Sequence, residues 1–351
     1  MRGGEVTLEA ILELVPGARL LTLVHVPGSV TPRIEAHRPQ PSFVQRLPLA
    51  RTRYRQYLPL FPAAIEQIDL DDVELVISTS HCAAKAVVPT GRTRHLCYCF
   101  TPMRYAWDQF DAYFGPARVG ALRSRLYGLA LRRLARWDAA TADRVDRYVA
   151  ISRYVAGRID RYYNRTADVI EPPVDTSFYS PDGSPPGDYF IIVSALVPYK
   201  RVDLAIDACR LAGVPLRVVG GGPEAGPLRR RAGPGVEFIE HCSRGELRGL
   251  YRGARAFLLT GEEDFGIAPV EAQACGRPVI ALARGGARET VEHGVTGLLV
   301  PESSAEAFAA AIRLLADLEC DAAQLRRSAA RFARPLFQER MRAAIEALAD
   351  C

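Results

Sequence analysis

Short apolar segments of strand type alternate with helical segments in two separate series along this chain. The first series includes strand-like runs at Val73–Ser78, His95–Phe100 and Arg147–Ser152, and a helical segment follows the last of them. The second series begins at Tyr189 and ends with the apolar run GLLV. This alternation predicts parallel sheets covered by helices. Because 351 residues exceed what one hydrophobic core usually organises, we expect two doubly wound α/β domains.

The segment between the two series is predicted to be a linker. It runs from Glu171 to Asp188, contains five prolines and shows no periodicity. The two domains are therefore expected to face each other across a cleft, with the last helix packing back on the first domain. The predicted boundaries are 1–171 for the N-terminal domain, 172–187 for the linker, 188–333 for the C-terminal domain and 334–351 for the last helix.

A glycine pair, Gly3 and Gly4, precedes the first helical segment, Val6–Leu14. In a parallel α/β sheet such a turn normally follows a strand, but only Met1 and Arg2 stand before it here. Two interpretations stay open. Either the glycine turn begins the protein, or a first strand is missing and Met1 is a wrongly assigned start.

The segment GEEDFGIAPVEAQACG, Gly261–Gly276, has the pattern of a ligand-binding strand end. An apolar strand is followed by an acidic turn, and a helix that we expect to begin at Pro269 is closed by Gly276. This places Glu263 in the loop and Glu271 in the first helical turn, where the helix dipole favours a carboxylate. Open α/β sheets bind ligands at such positions.

Lysine is rare in this chain, which has only Lys85 and Lys200 among its 45 basic residues. A bias toward arginine of this kind indicates that a lysine persists where a compact ammonium is needed. Lys200 follows a strand directly and is adjacent to Arg201. An ammonium and a guanidinium at a sheet edge suit a diphosphate.

Two strands of the first series also end in loops with polar side chains. Val73–Ser78 is followed by His81 and Lys85, and His95–Phe100 is followed by Arg104 and Asp108. We expect these side chains to form a second candidate binding edge, on the N-terminal domain.

Two other segments match known motifs poorly. VVGGGPEAG has the spacing GxGxxxG instead of the dinucleotide fingerprint, and Pro223 removes an amide from the phosphate cradle, so a tight turn is predicted there. The pair Asp69 and Asp71 precedes a strand and lacks a histidine at ligand spacing, so a solvated turn is predicted instead of a metal site.

Residues 118–136 contain six arginines and no acidic residue. Apolar residues at steps of three and four predict an amphipathic helix. Two interpretations stay open at this point. The helix either rests on an anionic membrane surface, or packs in the domain with an arginine-rich polar face.

The remaining composition indicates a cytoplasmic protein without a membrane span. The N-terminus lacks the basic start and apolar core of a signal peptide, and no apolar run approaches the roughly 20 residues of a spanning helix. The cysteines show no zinc-type spacing, so we expect reduced thiols. The net charge of +5 is modest, and no nucleic-acid partner is expected.

Several segments together resemble the retaining glycosyltransferases of family 4, which have the GT-B fold. The matching segments include FTPMRYAWDQF, VIEPPVDTSFYSP, VSALVPYKRVDLAI, EEDFGIAPVEAQACGRPVIA and GGARETVEHGVTGLLVP. The bacterial branch that includes polysaccharide mannosyltransferases is the most similar. The resemblance implies two Rossmann-like domains, a GDP- or UDP-linked sugar in the C-terminal domain and an acceptor in the N-terminal domain. It also implies transfer of a hexose such as mannose with retention and without a metal or other cofactor.

The resemblance also implies roles for individual residues. Glu263 would bind hydroxyls of the donor sugar, Lys200 would neutralise the diphosphate, and Glu271 would hold the ribose. Glu263 and Lys200 are the implied catalytic pair. The full set of implied donor-binding residues is Gly3, Gly4, Lys200, Arg201, Gly222, Glu263, Phe265, Gly266, Ile267 and Glu271, and the implied acceptor-side residues are His81, Lys85, Phe100 and Arg104.

Three departures from the family pattern matter, and two of them, Phe100 and the strand missing before Gly3, leave an alternative open. Ala195 stands where many members have an arginine, and Phe100 stands where many have a histidine that contacts the sugar. The first interpretation is an active enzyme with a glycan or lipid-linked oligosaccharide acceptor, working in the cytoplasm or at the inner face of the membrane. The second is a degenerate paralogue that binds a nucleotide sugar or a partner without catalysis.

Overall fold

The computed structural model describes residues 3–315 and 320–349, so Met1 and Cys351 lie outside the described residues. The chain divides into two compact units. The N-terminal unit comprises Met1–Glu171 and Phe337–Cys351, and the C-terminal unit comprises Pro172–Leu336. Each unit contains a parallel sheet, and the fold class predicted from the alternation of strands and helices is confirmed.

The N-terminal unit has a four-stranded parallel sheet in the order β3-β4-β5-β6 and a separate parallel pair, β1-β2. β4 is the most deeply buried of these strands, with Leu96–Cys99 almost fully inaccessible, as expected of a strand covered on both faces. The strands are β1 Leu21–Thr22, β2 Gln40–Pro41, β3 Leu75–Ser80, β4 Arg94–Cys99, β5 Arg147–Ala150 and β6 Ala167–Val169.

The helices of this unit are mostly short, apart from α1, α8 and α9. They are α1 Gly3–Leu12, α2 Pro32–Ala36, α3 Ala50–Arg53, α4 Phe61–Glu66, α5 Arg104–Trp107, α6 Phe110–Phe114, α7 Pro116–Val119, α8 Ala121–Ala140 and α9 Arg153–Tyr163. The prediction that Gly3 and Gly4 form a turn before the helix is wrong, since α1 already begins at Gly3. Gly4 faces Phe100, and a Cβ added at Gly4 would lie 3.6 Å from that ring.

Lys85 does not lie on a binding edge, so that prediction is wrong. Its side chain is fully buried, and its ammonium lies 3.2 Å from the carboxylate of Asp138, donates to the Asp138 carbonyl at 2.5 Å and bonds Thr141 at 3.1 Å. The ring of Tyr163 lies 4.4 Å away. Asp138 also accepts from Trp107 at 2.8 Å. Because these partners satisfy a desolvated charge, the persistence of this lysine has a structural reason.

The C-terminal unit has a six-stranded parallel sheet in the order β12-β11-β10-β7-β8-β9. Its strands are β7 Phe190–Val193, β8 Leu216–Val219, β9 Val236–Ile239, β10 Ala256–Leu259, β11 Val279–Leu282 and β12 Gly297–Val300. From β7 the chain proceeds to β8 and β9 on one side, and then to β10, β11 and β12 on the other. This is the doubly wound order whose direction reverses between β7 and β10.

Helices cover both faces of this sheet. They are α10 Val202–Ala212, α11 Ala225–Arg231, α12 Arg244–Gly253, α13 Ile267–Ala274, α14 Ala287–Thr290, α15 Ala305–Leu314 and α16 Ala322–Ala330, and α17 Arg334–Ala349 follows. The proline-rich segment packs within this unit, since Asp175 pairs with Arg244 at 2.9 Å. From Phe337 onward α17 belongs to the N-terminal unit, where Arg340 pairs with Glu171 at 2.8 Å.

The longest helix is α8, with 20 residues. None of the helices in the described part of the chain is long and apolar enough to cross a membrane.

Candidate functional site

The reversal of strand order in the C-terminal sheet defines the candidate site. β7 and β10 are neighbours, and the connections that leave them proceed in opposite directions across the sheet. Such a switch point opens a crevice at the carboxyl ends of the two strands, where doubly wound sheets bind ligands. The loop after β7 carries Lys200, and the loop after β10 carries Glu263. The two residues singled out from the sequence therefore come from the two sides of this crevice.

Lys200 and Glu263 are in direct contact. The Lys200 ammonium forms an ion pair with the Glu263 carboxylate, and the two side chains are 14% and 19% exposed. Lys200 also lies 5.0 Å from the ring centre of Tyr199. Limited exposure strengthens such a pair relative to one at the surface. An ammonium and a carboxylate so placed offer one group that can bind an anion and one that can accept hydrogen bonds.

Close backbone contacts hold the two loops together. A Cβ at Gly261 would lie 2.6 Å from the Cα of Lys200, and a Cβ at Gly285 would lie 2.2 Å from the carbonyl oxygen of Glu263. The Gly286 amide donates to that same carbonyl at 2.8 Å. Only glycine allows these approaches. Three segments, around Lys200, Gly261 and Gly285, therefore meet here and fix the backbone that carries the two charged side chains.

Glu271 forms a second polar cluster beside the first. Its carboxylate accepts from the hydroxyl of buried Tyr251 at 2.8 Å. Burial raises the pKa of Glu271 to about 7, and the hydrogen bond from Tyr251 opposes that shift. Tyr179 packs edge-on against Tyr251, with 5.7 Å between the ring centres. The sequence offered no periodic signal for Tyr179 or Tyr251, because they reach Glu271 only through the packing of α12 and the proline-rich segment.

The start of α13 differs from the prediction. Gly266, with φ of +91°, occupies the N-cap position, and the helix begins at Ile267 instead of Pro269. Pro269 is therefore the third helical residue, where its missing N–H costs no hydrogen bond. Glu271 consequently lies beyond the first turn. The amides at the start of the helix remain available to an anion.

Three other predicted donor-binding residues, Phe265, Arg201 and Gly222, lie in three different environments. Phe265 is buried and packs edge-on against Phe332 at 5.2 Å, so only its backbone faces the loop. Arg201 pairs with Asp203 at 3.0 Å on α10 instead of joining Glu263. Gly222 follows β8, and a Cβ there would lie 2.4 Å from the Leu196 carbonyl. The predicted tight turn therefore packs against the loop after β7.

In the N-terminal unit, His81 and Phe100 come directly after the paired strands β3 and β4, and Arg104 begins α5. The Phe100 amide donates to the Ser80 carbonyl at 2.7 Å, which brings His81 and Phe100 to one edge of the sheet. A pocket of about 320 Å³ lies nearby along α9, lined by Asp108, Arg153, Tyr154, Gly157, Arg158, Arg161 and Tyr162.

Within residues 3–315 and 320–349, no group of three or more His, Cys, Asp or Glu side chains is placed to hold a metal ion.

Comparison with known proteins identifies the C-terminal unit. Residues 182–334 match the family described as glycosyl transferases group 1. The chain is 31% identical over 194 residues to D-inositol 3-phosphate glycosyltransferase of Mycobacteroides abscessus, covering 49% of this chain and 42% of that protein. It is 34% identical over 200 residues to GDP-mannose-dependent alpha-(1-6)-phosphatidylinositol monomannoside mannosyltransferase of Mycolicibacterium smegmatis, covering 48% and 52%. The matches thus span about half the length of these relatives.

Solved structures extend the similarity to both units. Anabaena Alr3699/HepE in complex with UDP aligns with a TM-score of 0.71 at 19% identity, over 99% of this chain and 97% of that one. The lipopolysaccharide outer core galactosyltransferase WaaB in its apo form aligns with a TM-score of 0.64 at 14% identity, over 99% and 96%. Residues 182–334 are therefore similar to the group 1 glycosyltransferases, and the whole chain has the GT-B fold.

Proposed function

We propose that this protein transfers a hexose from a nucleotide-diphosphate sugar to a glycan or lipid-linked acceptor. The observation that carries the proposal is the Lys200–Glu263 pair at the switch point of the C-terminal sheet. The match to group 1 glycosyltransferases supports it, and so do relatives named for GDP-mannose and for inositol phosphate. A neighbour in complex with UDP-glucose is consistent with a nucleotide-sugar donor. We propose a cytoplasmic location for the reaction.

In this proposal the ion pair between Lys200 and Glu263 opens when the donor binds, and each side chain takes a new partner. Lys200 leaves Glu263 for the diphosphate, and Glu263 accepts hydrogen bonds from the hydroxyls of the sugar. An ammonium beside the departing diphosphate stabilises the charge that develops as the glycosidic bond breaks. The amides of Gly266 and Ile267 add donors at the helix start. A metal ion is not required, because this charge is met by Lys200 and the amides.

We propose that transfer proceeds with retention, and that the departing phosphate takes the proton of the acceptor hydroxyl. A retaining glycosidase needs two carboxyl groups that flank the bond, about 5–5.5 Å apart. Here Glu263 is engaged by Lys200 and Glu271 by Tyr251, each in its own cluster. Both carboxylates are assigned to binding, Glu263 to the sugar and Glu271 to the ribose.

A donor panel tests the function directly. Purified protein is incubated with GDP-mannose, UDP-glucose and related donors in the presence of a mixed glycan and lipid extract. Mass spectrometry then reads acceptor masses that increase by one hexose. We expect one donor to give such a product, and NMR of the new linkage to show the donor's anomeric configuration. Donor binding without any product would contradict the transfer activity.

That negative result is what a second candidate function predicts. Phe100 faces Gly4 at the edge of the N-terminal sheet, and the family that the sequence resembles often has a histidine at this position. A degenerate protein of this kind would bind the nucleotide sugar and give no product in the panel.

Donor affinity is expected to rise with pH around neutrality. Because burial raises the pKa of Glu271 to about 7, the carboxylate that accepts the ribose hydroxyls is mostly protonated at pH 6 and mostly ionised at pH 8. If only the ionised form binds fully, the donor dissociation constant falls about tenfold over this range. Titration calorimetry with an intact nucleotide sugar measures it, since its diphosphate diester keeps its charge. Glu271→Gln should bind weakly and lose the pH dependence, and an unchanged profile in that variant would contradict the assignment.

A further inference from the structure

Helix α8 presents an apolar stripe to solvent. Leu122, Leu126 and Leu129 are 74%, 58% and 56% exposed, which is far above the usual exposure of leucine. They follow one another at steps of four and three residues, so they lie on one side of the helix within an arc of about 60°. Their exposure means that packing in the domain does not explain these three leucines.

The opposite side of α8 makes the contacts with the domain. Ser124, Leu131, Leu134, Ala135 and Asp138 are the buried residues of the helix. Leu131 and Leu134 join Met103 in one hydrophobic cluster. At about 100° per residue this buried side lies diametrically across the helix from the leucine stripe. The helix therefore has two apolar sides, and one of them faces solvent.

Arginines surround the exposed stripe. Arg125, Arg132 and Arg136 lie along one flank of it, and Arg123 lies on the other, by the same helical geometry. Arg133 continues the stripe one turn beyond Leu129. These side chains are exposed, and residues 112–137 contain no acidic residue. Asp138, the next acid along the chain, is buried against Lys85. The stripe is therefore apolar at its centre and positively charged at its margins.

We propose that this face of α8 docks the protein on an anionic lipid surface. The leucines would enter the boundary between head groups and acyl chains, and the arginine stems would lie along it with their guanidinium groups among the phosphates. Each arginine held near an anionic leaflet favours binding by about fivefold. Pairing with a second copy of this chain is disfavoured, because it would bring two acid-free arginine clusters together. The inference does not depend on the proposed transfer reaction.

Vesicle co-sedimentation tests this docking. The full chain is mixed at low salt with phosphatidylcholine vesicles that contain about 30% phosphatidylglycerol, and with pure phosphatidylcholine vesicles. We expect binding to the anionic vesicles only, and a loss of binding at about 0.5 M salt, where charges are screened. The triple change Leu122→Ser, Leu126→Ser and Leu129→Ser should lower the partition coefficient about tenfold or more, since apolar burial is lost. Because these leucines are exposed, the variants should keep the circular dichroism spectrum and melting temperature of the unaltered protein.

Two variants that remove the same charge at different places test whether the exposed face of α8 is responsible for vesicle binding. Arg125→Gln, Arg132→Gln and Arg136→Gln together should reduce binding about a hundredfold. The control, Arg230→Gln, Arg255→Gln and Arg326→Gln, removes the same charge from exposed sites of the C-terminal unit and should leave binding within a fewfold of the original. Equal losses in the two charge variants would overturn the proposal, as would unaltered binding by the leucine variant. Sedimentation as a dimer that only the leucine variant abolishes, without vesicle binding, would identify a self-association face instead.

Discussion

Replacing Lys200 by alanine is expected to lower kcat for hexose transfer by about 10²–10³-fold, the usual effect of removing one group that stabilises a developing negative charge. Lys200 is the side chain assigned to this role, because its neighbour Arg201 pairs with Asp203. The decrease should fall mainly on kcat, since the charge on the diphosphate increases as the sugar leaves. Steady-state rates with the donor identified in the panel provide the measurement.

Two further variants separate this role from a structural one. Arg201→Ala removes a neighbouring positive charge and should cost less than about tenfold, because that guanidinium serves Asp203. Lys200→Ala also leaves Glu263 without its ion-pair partner, and Lys200→Ala with Glu263→Gln removes that unpaired charge. If Lys200 acts on the diphosphate, the double variant stays as slow as the single one. Recovery of activity in the double variant would instead mean that Lys200 serves only to neutralise Glu263.

The strand-end loop with Glu263 could be predicted because its signal is local. An apolar strand, an acidic loop and a helix start follow one another within the sixteen residues of Gly261–Gly276. Lys200 could be predicted from its position after a strand and from the scarcity of lysine. What the sequence does not contain is the order of strands, and only that order brings the loops after β7 and β10 to one crevice.

The errors arise where a tertiary contact decides the outcome. Lys85 follows a strand, as a lysine at a binding edge would. Its partner Asp138 is 53 residues away in the sequence and lies on α8. Gly266 adopts a left-handed conformation and moves the start of α13 two residues earlier than the proline suggests. Periodicity predicted an amphipathic helix at α8, but it cannot say which side of the helix meets the core. Only the structure shows that Leu131 is buried and that Leu126 is exposed.

The pair of Lys85 and Asp138 is expected to dominate the stability of the N-terminal unit. Both side chains are at most 1% exposed, and the Asp138 carboxylate accepts further hydrogen bonds from Trp107 at 2.8 Å and Tyr163 at 2.9 Å. Lys85→Met keeps the volume of the side chain and leaves a buried carboxylate without its cation. We expect the free energy of unfolding to fall by about 3–5 kcal/mol, the usual cost of breaking a buried pair from one side.

Tryptophan fluorescence during urea unfolding measures this loss in the correct unit, because Trp107 and Trp137 are the only two tryptophans and both belong to the N-terminal unit. Lys85→Met with Asp138→Asn should regain much of the stability, since the amide oxygen still accepts from Trp107 and no charge is left buried. The matched control is Arg340→Met, which breaks the exposed pair with Glu171 and should cost less than about 1 kcal/mol. An equally small loss for Lys85→Met would mean that the ion pair with Asp138 adds no more stability than an exposed pair does.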